Sequence, residues 1–79
     1  MLIQVRLSAF LRAAVPGYQP DQGVILELAG PATAADLAVR LDLPLEQIKL
    51  TLINGRRVSL ESPVVDGDQL GFFPALGGG

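Results

Sequence analysis

One segment of this chain has the apolar repeat of an amphipathic α-helix, and segments with the two-residue repeat of β-strands lie on both sides of it. Thr33 is a favourable N-cap, and Asp36 can return a hydrogen bond to its backbone in a shortened capping box. The apolar positions of one face are Ala34, Leu37, Ala38 and Leu41. We expect about three helical turns that end at Leu43-Pro44, because the residue before a proline avoids the helical region. A single helix must cover its apolar stripe with a sheet.

The strand pattern occurs in five places. Asn54-Gly55 tolerates positive φ at both positions and predicts a tight hairpin. In the last strand, Leu70 and Phe72 face away from Phe73. The predicted strands are Leu2 to Leu7, Val24 to Ala29, Lys49 to Ile53, Arg57 to Leu60 and Gln69 to Pro74. Together they predict an α+β fold, a β-grasp with a mixed four- to five-stranded sheet and one main helix packed across one face.

The remaining segments are predicted to be turns. Ala9 to Val15 has the composition of a short helical turn that Pro16-Gly17 ends, and Leu45 to Ile48 is expected to form a single turn. Ser62-Pro63 and Asp66-Gly67-Asp68 are also predicted turns.

Composition excludes several classes of function. The 79 residues include no Cys and no His, so disulfides, thiolate metal sites and a histidine general base are absent. The net charge is −2 and the six Lys and Arg residues are scattered, which argues against nucleic acid binding. The adjacent Arg56 and Arg57 favour a solvated hairpin tip over a basic edge for an acidic partner. No apolar run is long enough for a membrane helix. We interpret Met1 as the true start of a cytoplasmic protein, because Leu2 to Leu7 has the period of a strand and not of an amphipathic transit peptide.

Known catalytic and cofactor motifs are also missing. Neither GxGxxG nor GxxxxGK[ST] occurs, so no phosphate-binding loop is expected. Asp66-Gly67-Asp68 lacks the twelve-residue loop and closing Glu of a calcium site, and a plain turn is the better interpretation. Glu61, Asp66 and Asp68 could supply two carboxylates for acid and base catalysis, but their spacing in the sequence does not require any two of them to share a pocket. We expect no bound cofactor.

The chain ends in three glycines, Gly77, Gly78 and Gly79. Glycines have no side chain to bury, so residues 1–76 are the predicted domain and residues 77–79 a flexible tail. The reactive group of this tail is the Gly79 carboxylate, which a partner enzyme can activate by letting it attack the α-phosphate of ATP. Phe73, Pro74 and Leu76 are the candidate docking residues before the tail. Two alternatives stay open: the glycines are an incidental chain end, and Phe73 covers a second small core.

The whole chain resembles the MoaD/ThiS sulfur carriers, which are ubiquitin-like β-grasp proteins. The resemblance is densest in Ile53-Asn54-Gly55-Arg56, Ser59-Leu60-Glu61-Ser62-Pro63, Asp66-Gly67-Asp68 and Phe72-Phe73-Pro74 before the terminal glycines. The Phe-Phe-Pro run is more similar to the small subunit of molybdopterin synthase than to the thiamine-pathway carriers. The sequence departs from the pattern of the MoaD members at two positions, Ala13 after Arg12 and Ala75 in place of a second proline. These departures affect the choice of the pathway that receives the sulfur more than the carrier role.

This resemblance implies a carrier that is not itself an enzyme. A MoeB- or ThiF-like enzyme would adenylate the Gly79 carboxylate with ATP, and a persulfide donor would convert it to a thiocarboxylate. The tail would then insert into a MoaE-like large synthase subunit, which uses the sulfur for molybdopterin, or into another sulfur acceptor. Thiamine and tungsten-cofactor pathways, conjugation to a lysine, and a noncovalent ubiquitin-like binding module are the alternatives.

Overall fold

A computed structural model describes residues 1–75, which form a five-stranded sheet with a helix on one face. The strands are β1 (Leu2–Leu7), β2 (Val24–Glu27), β3 (Ala32–Thr33), β4 (Leu50–Ile53), β5 (Arg56–Val58), β6 (Pro63–Val64) and β7 (Gln69–Phe73). The helices are α1 (Ala34–Arg40) and two short 3₁₀ helices, Ala9–Ala14 and Leu45–Gln47. The sheet has the order β2-β1-β7-β4-β5, with β1 and β7 parallel and the other neighbours antiparallel. The predicted mixed sheet with one main helix is confirmed, while the predicted boundary at residue 76 lies outside the described residues.

The helix begins as the sequence predicts. The Asp36 N–H donates to the Thr33 hydroxyl at 3.2 Å, and the Thr33 N–H donates to the Asp36 carboxylate at 2.9 Å, which completes the capping box. Its end differs from the prediction, because α1 has seven residues, or about two turns. Asp42 adopts a left-handed backbone with φ of 60°, and the Leu43 N–H donates to the Ala38 carbonyl at 2.9 Å. This Schellman motif ends the helix before the proline does.

The core lies between α1 and the covered face of the sheet. Phe72 is the largest fully buried side chain, and its neighbours across the sheet are Leu7 on β1 and Thr51 on β4. Leu37 packs against them from the helix with no exposed surface. The other buried apolar residues are Ile3, Val5, Leu11, Ala34, Ala38, Leu43, Ile48, Val64 and Leu70. Alternation along β1 and β7 thus places every second residue in the core, as predicted.

A second, two-stranded ladder joins β3 to β6, with Ala32 opposite Val64 and Thr33 opposite Pro63. The prediction of a turn at Ser62-Pro63 was therefore wrong for Pro63, which is tolerated in this short edge strand. The first amides of α1 find their acceptors nearby, because Ala34 donates to the Ser62 carbonyl at 2.9 Å. These long-range bonds satisfy a helix end that would otherwise lack partners.

Other differences concern element boundaries. The predicted helical turns are confirmed as the 3₁₀ helices Ala9–Ala14 and Leu45–Gln47, whereas β2 ends at Glu27 instead of Ala29. The hairpin strand runs over Arg56–Val58, and the turn before it has φ of 52° at Asn54 and 81° at Gly55, as the hairpin prediction requires. Among the described residues, no helix is long and apolar enough to cross a membrane.

Candidate functional site

The candidate site is the carboxyl end of β7, where the chain leaves the centre of the sheet toward its terminus. β7 lies between β1 and β4 and is hydrogen-bonded to both. The bonding continues to its last residues, because the Ser8 N–H donates to the Phe72 carbonyl at 3.2 Å and the Lys49 N–H donates to the Phe73 carbonyl at 2.9 Å. A central strand paired on both sides is the least mobile place from which a tail can start. The exit of the tail is therefore held at a defined point.

The entry of β7 is held by a polar network around Asp68, which is only 8% exposed. Its carboxylate accepts from the Asn54 side-chain amide at 2.9 Å and from the Val65 N–H at 2.8 Å. The Asn54 side-chain oxygen accepts in turn from the Gln69 N–H at 2.9 Å. These bonds connect the β4–β5 hairpin turn to the turn before β7, so the register of β7 is set at its start.

The Asp66-Gly67-Asp68 turn is also attached to β1. The Leu2 N–H donates to the Asp66 carboxylate at 2.6 Å, and the Gly67 N–H donates to the Leu2 carbonyl at 2.8 Å. Gly67 has φ of 88°, which favours glycine. Within residues 1–75, no group of three or more acidic side chains is arranged to hold a metal ion. The turn has the structural role that the sequence predicted.

The uncovered face of the sheet carries an apolar patch beside the tail exit, formed by Leu50, Leu52, Gly71 and Phe73 and called here the outer patch. Phe73 is opposite Leu50 in the ladder, and Gly71 is opposite Leu52. A Cβ added to Gly71 would lie 3.2 Å from Cε1 of Phe73, so the ring lies over the glycine. Phe73 is half-buried by this arrangement. The absence of a side chain at residue 71 thus leaves room for the aromatic ring.

Arginines stand on both sides of the outer patch. In the register across the sheet, Arg6 on β1 is beside Gly71, and Arg57 on β5 is opposite Leu52. Both arginines are exposed. A shallow depression of about 160 Å³ includes Arg6, Leu52 and Phe73 in its lining. An apolar centre with a charged rim is the usual composition of a protein-binding surface.

The predicted site residues fall into three groups in the structure. Phe73 lies on the uncovered face, opposite in direction to the buried Leu70 and Phe72, as the alternation predicts. Pro74 is buried, so its side chain offers little area to a partner. The other predicted residues, Leu76, Gly77, Gly78 and Gly79, lie outside the described residues.

Sequence reasoning did not assign Leu52, Arg6 and Arg57 to the site. The two-residue repeat places Leu50 and Leu52 on one face of their strand, but it does not show which strand lies beside β7. These residues can be assigned to the site only when the pairing of β4 with β7 is known, and that pairing depends on residues far apart in the chain.

Comparison with known proteins gives a consistent result. A family model described as the ThiS family matches residues 5–79. The crystal structure of SAMP1 from Haloferax volcanii has a TM-score of 0.71 at 23% identity and covers 100% of both chains. A crystal structure of the H. volcanii small archaeal modifier protein 1 has a TM-score of 0.73 at 21% identity, covering 95% of this chain and 98% of that chain. At these identities the structures show a common fold. A sequence comparison with curated proteins found no match.

Proposed function

Because the chain belongs to the ThiS family of small ubiquitin-like sulfur carriers, we propose that it carries sulfur as a thiocarboxylate on Gly79. The observation that supports this proposal is the exit of the tail from the central strand. β7 is paired with β1 up to Phe72 and with β4 up to Phe73, and six residues follow Phe73 in the sequence. The family match extends through the terminal glycines. A rigid base with a thin glycine stalk suits a group that must enter another protein's active site.

The proposed chemistry takes place on the partner enzyme. One Gly79 carboxylate oxygen attacks the α-phosphate of ATP, the bond to pyrophosphate breaks, and an acyl adenylate forms. The terminal sulfur of a persulfide then attacks the acyl carbon and AMP leaves. A thiol cleaves the resulting acyl disulfide, which reduces the acyl-bound sulfur to the thiocarboxylate and leaves a disulfide on the donor. The carrier has no catalytic residue in this scheme and binds no cofactor, since ATP belongs to the partner.

Family members act with adenylating enzymes and sulfur acceptors. For this chain we propose a MoeB- or ThiF-like adenylating enzyme that binds the outer patch while the tail occupies its active site. Phe73 presents the aromatic surface of that patch, whereas Pro74 is buried and offers it little area. Leu76 is proposed as a further docking residue next to the glycines. We propose the cytoplasm as the site of this step.

Molybdopterin is the proposed destination of the sulfur, with a MoaE-like large synthase subunit as the acceptor. The support is the Phe72-Phe73-Pro74 sequence, in which Phe72 is a core residue and Phe73 is on the uncovered face. Thiamine and tungsten-cofactor pathways are the alternative destinations for the same carrier. Purified acceptor proteins of each pathway, supplied with the thiocarboxylate form, distinguish them by which one removes the sulfur.

The test of the carrier role is intact-mass spectrometry of the full chain. The chain is incubated with ATP, the adenylating enzyme of the same organism and a persulfide donor. We expect a mass increase equal to the exchange of one oxygen for sulfur, and no increase when Gly79 is deleted. If the mass does not change, and the deletion leaves every partner-dependent activity intact, the proposal is wrong.

A second candidate function is conjugation to proteins, because one structure with the same fold is that of a small archaeal modifier protein. Here a lysine amine would attack the Gly79 adenylate in place of the persulfide, releasing AMP and forming an isopeptide bond. Mass spectrometry of tryptic peptides from cells that express a tagged chain would identify lysines that carry residues 58–79, because Arg57 is the last tryptic site before Gly79. A noncovalent binding module predicts a third result: removal of residues 77–79 preserves partner binding, while Phe73→Ala weakens it.

A further inference from the structure

Large apolar side chains are exposed at five places in the described part of the chain, and one of them adjoins the tail exit. Phe10 is 56% exposed and belongs to the 3₁₀ helix Ala9–Ala14. This helix contacts β7, and Ser8, two residues before Phe10, donates its N–H to the Phe72 carbonyl at 3.2 Å. The other four lie away from the tail exit. Leu2 is the first residue of β1, Ile25 is on β2, Val39 is on α1, and Val65 precedes the turn before β7.

The 3₁₀ helix that carries Phe10 is firmly attached to the sheet. Leu11, the next residue, is only 1% exposed. The Arg12 Nε donates to the Leu7 carbonyl at 2.9 Å, and the Leu7 N–H donates to the Tyr18 hydroxyl at 2.8 Å. The Arg12 guanidinium also lies 5.5 Å from the centre of the Tyr18 ring. Phe10 is thus an exposed aromatic residue on an ordered support, which reduces the entropy lost when it binds a partner.

The backbone that leads into this helix is unusual. Ala9 has φ of 52°, a left-handed conformation that residues with a Cβ rarely adopt. Ala9 lies two residues after the end of β1, at the end of the sheet where β7 also ends. The chain therefore keeps an unfavourable turn whose next residue is an exposed phenylalanine. Burial in the fold gives no reason for an aromatic residue at this position.

The length of the tail determines which surface a partner must cover. Gly79 is four residues beyond Ala75, so a fully extended tail spans at most about 14 Å. Any enzyme that holds the Gly79 carboxylate in its active site must approach Ala75 within that distance, and the end of β7 at Phe73 within about 22 Å. Phe10 is two residues from Ser8, so their Cα atoms are separated by at most about 8 Å. The Phe10 side chain accordingly belongs to the surface that such an enzyme approaches.

We propose that Phe10 is a docking residue that inserts into an apolar pocket of the adenylating enzyme, beside the channel that receives the tail. The proposal rests on the proposed carrier function and adds a second contact to the outer patch. Protein interfaces are typically anchored by aromatic residues in a fixed position, and the surrounding contacts contribute little to the binding free energy. Phe10 acts in recognition and does not touch the reacting carboxyl group.

The test measures ATP-dependent adenylation of the full chain by the adenylating enzyme of the same organism, with the carrier concentration varied. We expect Phe10→Ala to raise the KM for the carrier about tenfold or more with kcat unchanged, the effect typical of an interface anchor. Phe10→Leu keeps an apolar side chain and should recover most of the loss. Val39→Ala is the matched control, because Val39 is 58% exposed but lies on α1, and its KM should equal that of the wild type.

The outcomes separate the two proposals. If the wild-type chain is adenylated and Phe10→Ala changes the KM by less than about twofold, the Phe10 proposal is wrong and the carrier function stands. An equal rise in KM for Val39→Ala would also refute it, since the effect would not be specific to the tail exit. If the wild-type chain forms no adenylate, the carrier function fails and the Phe10 proposal fails with it. Thermal unfolding of each variant shows whether a changed KM reflects lost stability.

Discussion

Replacement of Asp68 by alanine removes the carboxylate that connects the start of β7 to two turns. The carboxylate is 8% exposed and accepts two hydrogen bonds, from the Asn54 side chain at 2.9 Å and the Val65 N–H at 2.8 Å. Hydrogen bonds to a charged acceptor contribute about 1.5–3 kcal/mol each, and the donors regain part of this from water that enters. We expect Asp68→Ala to lower the free energy of unfolding by about 2–4 kcal/mol.

For a domain of this size, a change of 1 kcal/mol shifts Tm by about 4–8 °C, so the expected decrease is roughly 8–32 °C. Differential scanning calorimetry measures it, and Asp68→Asn should give a smaller decrease because it retains one acceptor oxygen. Asp66→Ala is the control on the same turn, since Asp66 is exposed although it accepts from the Leu2 N–H. A loss below about 1 kcal/mol, or no greater than that of Asp66→Ala, would refute the role of the network. Added calcium should leave the wild-type Tm unchanged if the turn is not a calcium site.

Two further substitutions test the backbone. Gly23 has φ of 67°, and a Cβ there would overlap the Val5 carbonyl oxygen, so Gly23→Ala should cost about 2 kcal/mol or more in urea unfolding. Gly17→Ala, at φ of 74° with no atom within 4 Å of the added Cβ, should cost less, and equal costs would contradict the overlap. Thr33→Ala removes the cap of α1 and should cost about 1 kcal/mol by the same measurement, while Thr33→Ser should restore it. No change for Thr33→Ala would show that tertiary contacts alone hold the helix end.

The fold separates the residues that stabilise it from those proposed to bind partners. Phe72 and Phe73 are adjacent in the chain, but Phe72 is fully buried in the core and Phe73 lies over Gly71 on the uncovered face. A strand separates neighbours in this way because successive side chains point to opposite faces. The same strand therefore contributes to stability with one face and to the proposed docking surface with the other.

The local elements of this protein could be predicted because their causes are local. Leu70 and Phe72 are two residues apart and share the buried face, and Phe73 lies on the other, which the period of a strand dictates. The capping box of Thr33 and Asp36 and the left-handed turn of Asn54-Gly55 also depend on residues within one turn of each other. The mixed sheet with one helix followed from counting these elements.

Contacts between distant residues could not be predicted in this way. Asn54 and Asp68 are 14 residues apart, and the two residue types do not indicate that their side chains form a hydrogen bond. The ladder between Thr33 and Pro63 joins segments that each looked like a turn or a cap. The shorter helix also has a specific cause, since Asp42 adopts a left-handed conformation that asparagine or glycine would have suggested more strongly.

The sequence by itself determined the strand faces, the start of the helix, the exclusion of cysteine and histidine chemistry, and the terminal glycines as the candidate site. Those features depend on residue type and on spacing within a few residues. The tertiary structure decided that β7 is central, that Leu52 and Arg6 line one depression with Phe73, and that the 3₁₀ helix carrying Phe10 contacts β7. Strand order and register are set because all the elements must bury their apolar faces in one core. That requirement involves residues from the whole chain and not a single segment.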